Sequence, residues 1–129
     1  MQIVIDTNFI VTCVNQKIDL FEQLENMFVG ADWIILTRVM DELEKISQKA
    51  KSKGKYKEAA SLALKLIGNE IKKNRVKIMA LDGKVDDAIV KYSQARDDVI
   101  VASLDRGIKK QLKNTRFLTI REKLRIAEA

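Results

Sequence analysis

Histidine and proline are absent from this sequence, cysteine occurs once, and aromatic residues make up only 5% of the chain. Without histidine, every triad that depends on an imidazole base is excluded, as are the zinc sites that combine histidine with cysteine. The single Cys13 cannot form an intramolecular disulfide, which agrees with a reducing compartment, and we interpret it as a small buried apolar residue. Any metal chemistry must therefore use oxygen ligands, which select hard cations such as Mg²⁺ or Mn²⁺.

Long apolar runs are missing as well. No stretch approaches the length of a membrane-spanning helix, and the chain starts with a strand pattern instead of the basic and apolar regions of a secretory signal. We therefore expect a cytoplasmic protein without membrane contact. Its 129 residues, 47% of them hydrophobic, suffice for one ordinary core but not for two, so residues 1–129 are predicted to form a single domain.

The formal charge of +6 and a pI near 9.5 favour a polyanionic partner, and nucleic acid is the first candidate. Much of the excess positive charge lies in one set of basic residues: Lys45, Lys49, Lys51, Lys53, Lys55, Lys57, Lys72, Lys73, Arg75 and Lys77. A solvated helix face and a phosphate-binding surface explain such a set equally well, because charge runs are common. Tyr56 is the only aromatic residue between positions 45 and 57, so base stacking has few candidates here.

Short apolar runs alternate with segments of helical periodicity along the chain. The runs predict strands at 3–5, 33–36, 76–81, 99–104 and 117–120. Helical spacing predicts helices at 20–28, in two pieces between 38 and 73 with a break near Gly54, at 85–95 and at 106–113. The second of the two pieces is predicted to bury Tyr56, Ala60, Ala63, Ile67 and Ile71. Because the strands are continuous apolar runs, the sheet should be parallel and covered on both faces, which predicts a three-layer α/β sandwich.

Four acids occur where an apolar strand ends or a helix begins: Asp6, Glu42, Asp86 and Asp105. In a parallel α/β sheet, ligands bind in the crevice beyond the carboxyl ends of the strands. Asp6 and Asp105 are therefore predicted to lie at that edge. Carboxylates that crowd together in a basic protein repel one another unless a cation lies between them, so these four are the candidate metal ligands and catalytic residues.

Helix geometry selects one acid from each neighbouring pair. If Thr37 is the N-cap of its helix, Glu42 lies beside the buried apolar stripe and Asp41 points away from it. In the later acidic helix, Asp86 lies at the flank of the core side, while Asp87 is directed almost opposite and is the fallback ligand.

The alternative explanation for such acids is structural. Acids in the first turn of a helix cap free amides and complement the helix dipole, which accounts for many of them. This explanation is weaker for Asp6 than for Glu42 or Asp86, because the end of a buried strand has no helix dipole to account for an acid there.

Taken together, the acidic motifs resemble those of the PIN domain family of nucleases. In chain order they are Ile3-Val4-Ile5-Asp6-Thr7-Asn8, Val39-Met40-Asp41-Glu42-Leu43, Asp86-Asp87-Ala88-Ile89 and Val101-Ala102-Ser103-Leu104-Asp105-Arg106. The match spans nearly the whole chain and keeps the order and rough spacing of the motifs. Each motif alone is weakly specific, whereas four in order are strongly so. One departure is that Leu36-Thr37-Arg38 replaces the proline often found before the second motif.

The resemblance implies a five-stranded parallel sheet of order 3-2-1-4-5 flanked by helices, and Mg²⁺- or Mn²⁺-dependent endonuclease activity, most often on RNA. It also implies that Asp6 is the central metal ligand and that the other three acids complete the site. Thr7 and Asn8 match the polar pair that holds the acids by hydrogen bonds, and Ser103 stands where the family often has threonine or serine. Candidate phosphate-binding residues beside the site are Arg38, Lys84, Arg106 and Lys109.

Other phosphate chemistries fit the sequence less well. An aspartyl phosphatase needs a second aspartate two residues after Asp6, where this chain has Asn8, and no strand is followed by a phosphate-binding loop that ends in Lys-Ser or Lys-Thr. A PIN module that binds RNA or protein without cutting would be expected to lack one of the four acids, and none is missing.

Two kinds of nuclease remain: a processing or quality-control nuclease similar to the domains of ribosomal RNA maturation, and a toxin ribonuclease of a toxin–antitoxin pair. The motif spacing favours the first. The expected partner is RNA, together with a ribosome-associated protein in the first case or an antitoxin in the second. The sequence leaves the oligomeric state open between a monomer and a homodimer.

Overall fold

The fold is described here from a computed structural model, which covers residues 1–49, 54–121 and 125–129. Strands and helices alternate along most of the chain. In order they are β1 (Gln2–Ile5), α1 (Thr7–Asn15), α2 (Leu20–Met27), β2 (Asp32–Leu36), α3 (Thr37–Gln48), α4 (Gly54–Lys72), β3 (Val76–Met79), α5 (Val85–Gln94), β4 (Val99–Ala102), α6 (Arg106–Gln111), β5 (Arg116–Arg121) and β6 (Arg125–Glu128). The predicted positions Lys51 and Lys53 lie outside the described residues.

All of these strands belong to one sheet of order β3-β2-β1-β4-β5-β6. The pairs formed among β1 to β5 are parallel, so the predicted order 3-2-1-4-5 is confirmed. The predicted number of strands is wrong, because β6 pairs antiparallel with β5 and brings the total among the described residues to six. Only Ile126 of β6 is buried, so this strand lacks the apolar run by which the others were predictable.

The central strands are buried on both faces, which explains why their sequences show no alternation of apolar and polar residues. Ile3, Val4 and Ile5 of β1 are fully buried, and all four residues of β4 are buried. Helices α1, α3 and α4 pack against one another, while α5 packs against α6. This arrangement is the predicted α/β sandwich, in which helices flank a parallel sheet.

Two local predictions at the starts of helices are wrong. Helix α1 begins at Thr7, directly after β1, and Asp6 is its N-cap; the side chain of Asp6 accepts a hydrogen bond from the amide of Thr7. A helix dipole therefore does accompany Asp6. Thr37 is the first residue of α3, and its N-cap is Leu36, which makes no side-chain capping bond. The physical reason is that β2 runs directly into α3, so that Leu36 still has extended backbone angles.

The predicted burial of residues on α4 is only partly confirmed. Ala60, Ala63 and Ile67 are buried as expected, but Tyr56 is 40% exposed and Ile71 is 38% exposed.

Cys13 is fully buried, and this burial raises the pKa of its thiol to about 12. Within the described parts of the chain, none of the helices is both long and apolar enough to cross a membrane.

Candidate active site

The pairing of β1 with β4 brings two of the four acids to the same edge of the sheet. Ile5 and Ala102 are register partners at the carboxyl ends of these strands, and the amide of Asp6 donates to the carbonyl of Ala102 at 2.9 Å. The strand order reverses between β1 and β4, since the chain continues outward from β1 on one side and from β4 on the other. Such a reversal opens a crevice at the carboxyl edge, where α/β proteins commonly bind ligands.

Asp6 is held in one orientation by hydrogen bonds. Its Oδ1 accepts from the amide of Thr7 at 2.8 Å, and its Oδ2 accepts from the hydroxyl of Ser103 at 2.7 Å. The same Ser103 hydroxyl accepts from the amide of Asp105 at 3.1 Å. Ser103 therefore connects the ends of the two central strands, and it does so across 97 positions of sequence.

The electrostatic state of Asp6 follows from its position. Burial, which leaves only 4% of the residue exposed, raises the pKa of its carboxyl from 3.8 to about 6. The hydrogen bonds from Ser103 and Thr7 oppose this increase in the pKa. The negative charges of Asp86 and Glu42 add to it, so both acids lie close enough to Asp6 to destabilise its ionised form.

Glu42 and Asp86 reach the same region from two different helices. The Thr7 hydroxyl donates to Glu42 Oε1 at 2.5 Å and thereby joins α1 to α3. Asp86 lies in the first turn of α5, and the pKa of its carboxyl is raised by partial burial first, then by the charge of Asp105 and a hydrogen bond with it. The charge of Glu42 raises this pKa further. We call Asp6, Glu42, Asp86 and Asp105 the acidic cluster.

Asp105 also has a structural role. Its Oδ1 accepts hydrogen bonds from the amides of Gly107 at 2.7 Å and Ile108 at 3.3 Å, which caps α6. A Cβ atom at position 107 would lie only 3.0 Å from that oxygen, so glycine leaves room for the cap. Asn8, the other predicted supporting residue, accepts from the amide of Leu104 at 3.4 Å and so ties α1 to the segment before Asp105.

A cleft of about 640 Å³ opens in front of part of the acidic cluster. Asp6, Glu42 and Asp86 line it, whereas Asp41 and Asp87 do not. The remaining lining residues are Thr7, Asn8, Val11, Thr12, Lys45, Ile46, Lys49 and Tyr56. An adjoining depression is shared by Glu42 and Asp86 and lined in addition by Arg38, Asp41, Lys45, Gly83, Lys84 and Val85.

The predicted basic residues therefore divide into two groups. Arg38 and Lys84 lie beside the acids, while Arg106 and Lys109 are exposed on α6 and line neither depression. Sequence reasoning did not place Lys45, Lys49 and Tyr56 at the site. For the lysines a signal existed, because positions 42, 45 and 49 have the spacing of one helix face. Lys45 follows Glu42 along α3, and Lys49 is the C-cap of that helix.

The acidic cluster fits a hard divalent cation by its donor chemistry. All of its ligand atoms are carboxylate oxygens. The negative charges of the neighbouring acids help to raise the pKa of Asp6 and Asp86, an effect that a cation placed between them would reverse. Within the described residues no three acidic side chains are grouped tightly enough to enclose an ion. Binding would therefore have to draw the side chains of the more exposed acids, Glu42 and Asp86, toward Asp6.

The fold and the site together define an α/β protein whose acids gather at the switch point of a parallel sheet. The chain belongs to the PIN-like domain family, whose model matches residues 3–125. The resemblance seen in the sequence motifs is thereby confirmed.

Comparison with individual proteins shows how far this similarity extends. Ribonuclease VapC4 of Methanocaldococcus jannaschii is 31% identical over 125 residues, which cover 95% of this chain and 92% of that protein. The PIN domain endonuclease Utp24 matches with a TM-score of 0.73 and 28% identity over 98% of this chain and 90% of its own. A structure of VapBC2 from Rickettsia felis, bound to a DNA fragment from its promoter, shares the fold at 15% identity and a TM-score of 0.54, over 91% and 97% of the two chains.

The raised pKa of Asp6 predicts how the stability of the metal-free protein depends on pH. A carboxyl that titrates near 3.8 in the unfolded chain and near 6 in the fold stabilises the fold fully below pH 3.8, and this contribution is lost as the pH rises through 6. The expected loss is up to about 3 kcal/mol, from a shift of about two pKa units. Urea unfolding in EDTA between pH 4.5 and 7.5 measures this loss. The free energy of unfolding should fall less steeply with pH for Asp6→Asn than for the wild type. Equal pH dependence in the two proteins would contradict the raised pKa of Asp6.

Proposed function

We propose that this protein is a divalent-metal-dependent endoribonuclease that hydrolyses phosphodiester bonds at the acidic cluster, with Mg²⁺ or Mn²⁺ as the cofactor. The observation that carries the proposal is the meeting of acids from four separate chain segments at the switch point, where burial and mutual repulsion raise the pKa of Asp6 and Asp86. Membership of the PIN-like family and the names of two relatives, a ribonuclease and an endonuclease, support it.

In this proposal the chain's own residues set the geometry of the reaction. A bound divalent ion would supply charge for the developing phosphorane and acidify the attacking water. Asp6 is the central ligand, since Thr7 and Ser103 fix both of its oxygens. Thr7 also orients Glu42 by donating to its Oε1, so a single residue positions two acids. Ser103, in turn, fixes the backbone that presents Asp105.

Basic side chains around the acids are proposed to bind the phosphates on either side of the cleaved bond. Lys45 lines both depressions, and Arg38 and Lys84 flank Glu42 and Asp86. Contacts of this kind are independent of base sequence and weaken as the salt concentration rises. Arg106 and Lys109, which lie on α6 away from the two depressions, would contact RNA only beyond the immediate site.

The cellular role that we favour is RNA processing or quality control. It is supported by the similarity to the endonuclease Utp24 over 98% of the chain. The second candidate, a toxin ribonuclease with an antitoxin partner, is supported by the 31% identity to ribonuclease VapC4. Inducing the wild type and Asp6→Asn in a host without any cognate antitoxin separates the two roles. Growth arrest that requires Asp6 would favour the toxin, and unimpaired growth would favour processing.

The activity itself is tested with purified protein and end-labelled RNAs, some unstructured and some containing stems and loops. We expect internal cleavage with Mn²⁺ or Mg²⁺ and none in EDTA, since the acids need a cation to act. Binding without cleavage under all metal conditions would indicate a non-cleaving RNA-binding module instead. Cleavage that persists in EDTA would refute the proposed mechanism.

A further inference from the structure

Beside the acids, the cleft has an apolar part with an aromatic ring. Tyr56 lines the cleft and is 40% exposed, although most large apolar residues of this chain are buried. Val11 and Ile46, which also line the cleft, are themselves largely covered. The ring of Tyr56 therefore lies in the same cleft as the acids Asp6, Glu42 and Asp86.

The ring of Tyr56 lies among positive charges. Lys45 and Lys49 line the same cleft, and Lys55 places its Nζ 5.1 Å from the centre of the ring. No hydrogen bond joins the Tyr56 hydroxyl to another part of the chain that the structure describes. The Lys55 ammonium lies over one face of the ring, and the exposed part of the ring is surrounded by groups that attract phosphate, a combination suited to single-stranded nucleic acid.

On this basis, and resting on the proposed function, we propose that Tyr56 stacks on one unpaired base of the RNA, next to the phosphate that the acids cleave. Stacking needs the full face of a base, which a base within a duplex does not offer, so the substrate is RNA that is single-stranded or looped at the cleavage position. The site selects an unpaired nucleotide without reading which base it is, because every base has a face that can stack.

The charges explain why one ring is sufficient. The lysines of the cleft hold the flexible backbone on both sides of the stacked base, and this grip alone would not distinguish paired from unpaired RNA. Tyr56 supplies that distinction. If Tyr56 were only a surface residue packed against the stem of Lys55, its removal would weaken binding to all RNAs equally or to none.

The test measures RNA binding in EDTA, so that it does not depend on cleavage. Tyr56→Phe should bind a single-stranded RNA within about twofold of the wild type, whereas Tyr56→Ala should bind about 5- to 100-fold more weakly, the range typical of one stacked base. Affinity for a blunt duplex should change little in either variant. Leu62→Ala is the matched control, since Leu62 is 49% exposed on the same helix but lines a different groove.

A series of RNAs with one abasic position each then locates the stacked base. In the wild type one abasic position should weaken binding, and in Tyr56→Ala the same position should have no effect, because the partner of that base is gone. An abasic series that is flat in the wild type, or an equal loss for single strand and duplex in Tyr56→Ala, would overturn the stacking. Because Tyr56→Phe keeps the ring, reduced binding by this variant would also count against it.

Cleavage assays with the same RNAs separate this inference from the proposed function. If the wild type cleaves and Tyr56→Ala keeps its affinity, the stacking is refuted and the nuclease stands. If the wild type does not cleave in any metal but the abasic pattern is present, the nuclease proposal fails and the base-binding site stands.

Discussion

Replacing Asp6 by asparagine should lower the rate of RNA cleavage by more than about 100-fold. Residues that only support a metal ligand typically contribute 10- to 100-fold, and Asp6 is proposed to be the ligand itself. Asparagine has nearly the same volume but no charge, so the loss would reflect chemistry and not packing. By the same argument, Ser103→Ala should cost about 10- to 100-fold, because it removes the hydrogen bond to Asp6 Oδ2.

The matched controls are the neighbouring acids outside the cleft. Glu42→Gln and Asp86→Asn should reduce single-turnover cleavage strongly, whereas Asp41→Asn and Asp87→Asn should stay within a few-fold of the wild type. Each comparison changes one charge on the same helix turn, so general electrostatic effects cancel. If Asp87→Asn reduced cleavage as much as Asp86→Asn does, Asp87 would have to belong to the site.

Divalent metal should raise the melting temperature of the wild type, by on the order of 10 °C at a concentration about 100 times the dissociation constant. That concentration corresponds to about 2.7 kcal/mol of stabilisation, because the unfolded chain lacks the assembled site. The Asp105→Asn variant should lose at least half of this increase.

The metal-free form of Asp105→Asn is expected to be as stable as the wild type, or more stable by about 1 kcal/mol. Asparagine can still cap α6, and the repulsion between Asp105 and Asp86 is removed. Thermal melts of both proteins with EDTA and with Mn²⁺ test this pair of expectations. A variant that is less stable in EDTA yet gains as much from Mn²⁺ would show that Asp105 is only a helix cap.

Much of the fold was predictable because the strands β1 to β5 contain apolar runs, and the resemblance supplied their order. Helix α1 was missed because Thr7 and Asn8, directly after an acid, look like the polar end of a strand. The missed helix matters for interpretation: Asp6 is both an N-cap and a member of the acidic cluster, and a sequence pattern cannot separate these roles.

The environment of the site depended on long-range contacts that no local pattern contains. The pKa of Asp6 depends first on burial and then on a hydrogen bond from Ser103, 97 positions away. Tyr56 has apolar neighbours at helical spacing on α4, which predicts burial. Its ring is nevertheless 40% exposed and lines the cleft.

The two outer strands of the sheet limit how copies of this protein can associate. β3 and β6 are each four residues long, and both carry charged side chains that would have to be desolvated in any edge-to-edge pairing. Lys77 of β3 is paired with Asp32 at 3.1 Å, and Glu128 of β6 accepts from Arg116 at 2.5 Å. Short, charged edges disfavour the joining of sheets from different molecules. Open-ended polymers that grow by pairing of strand edges are therefore disfavoured.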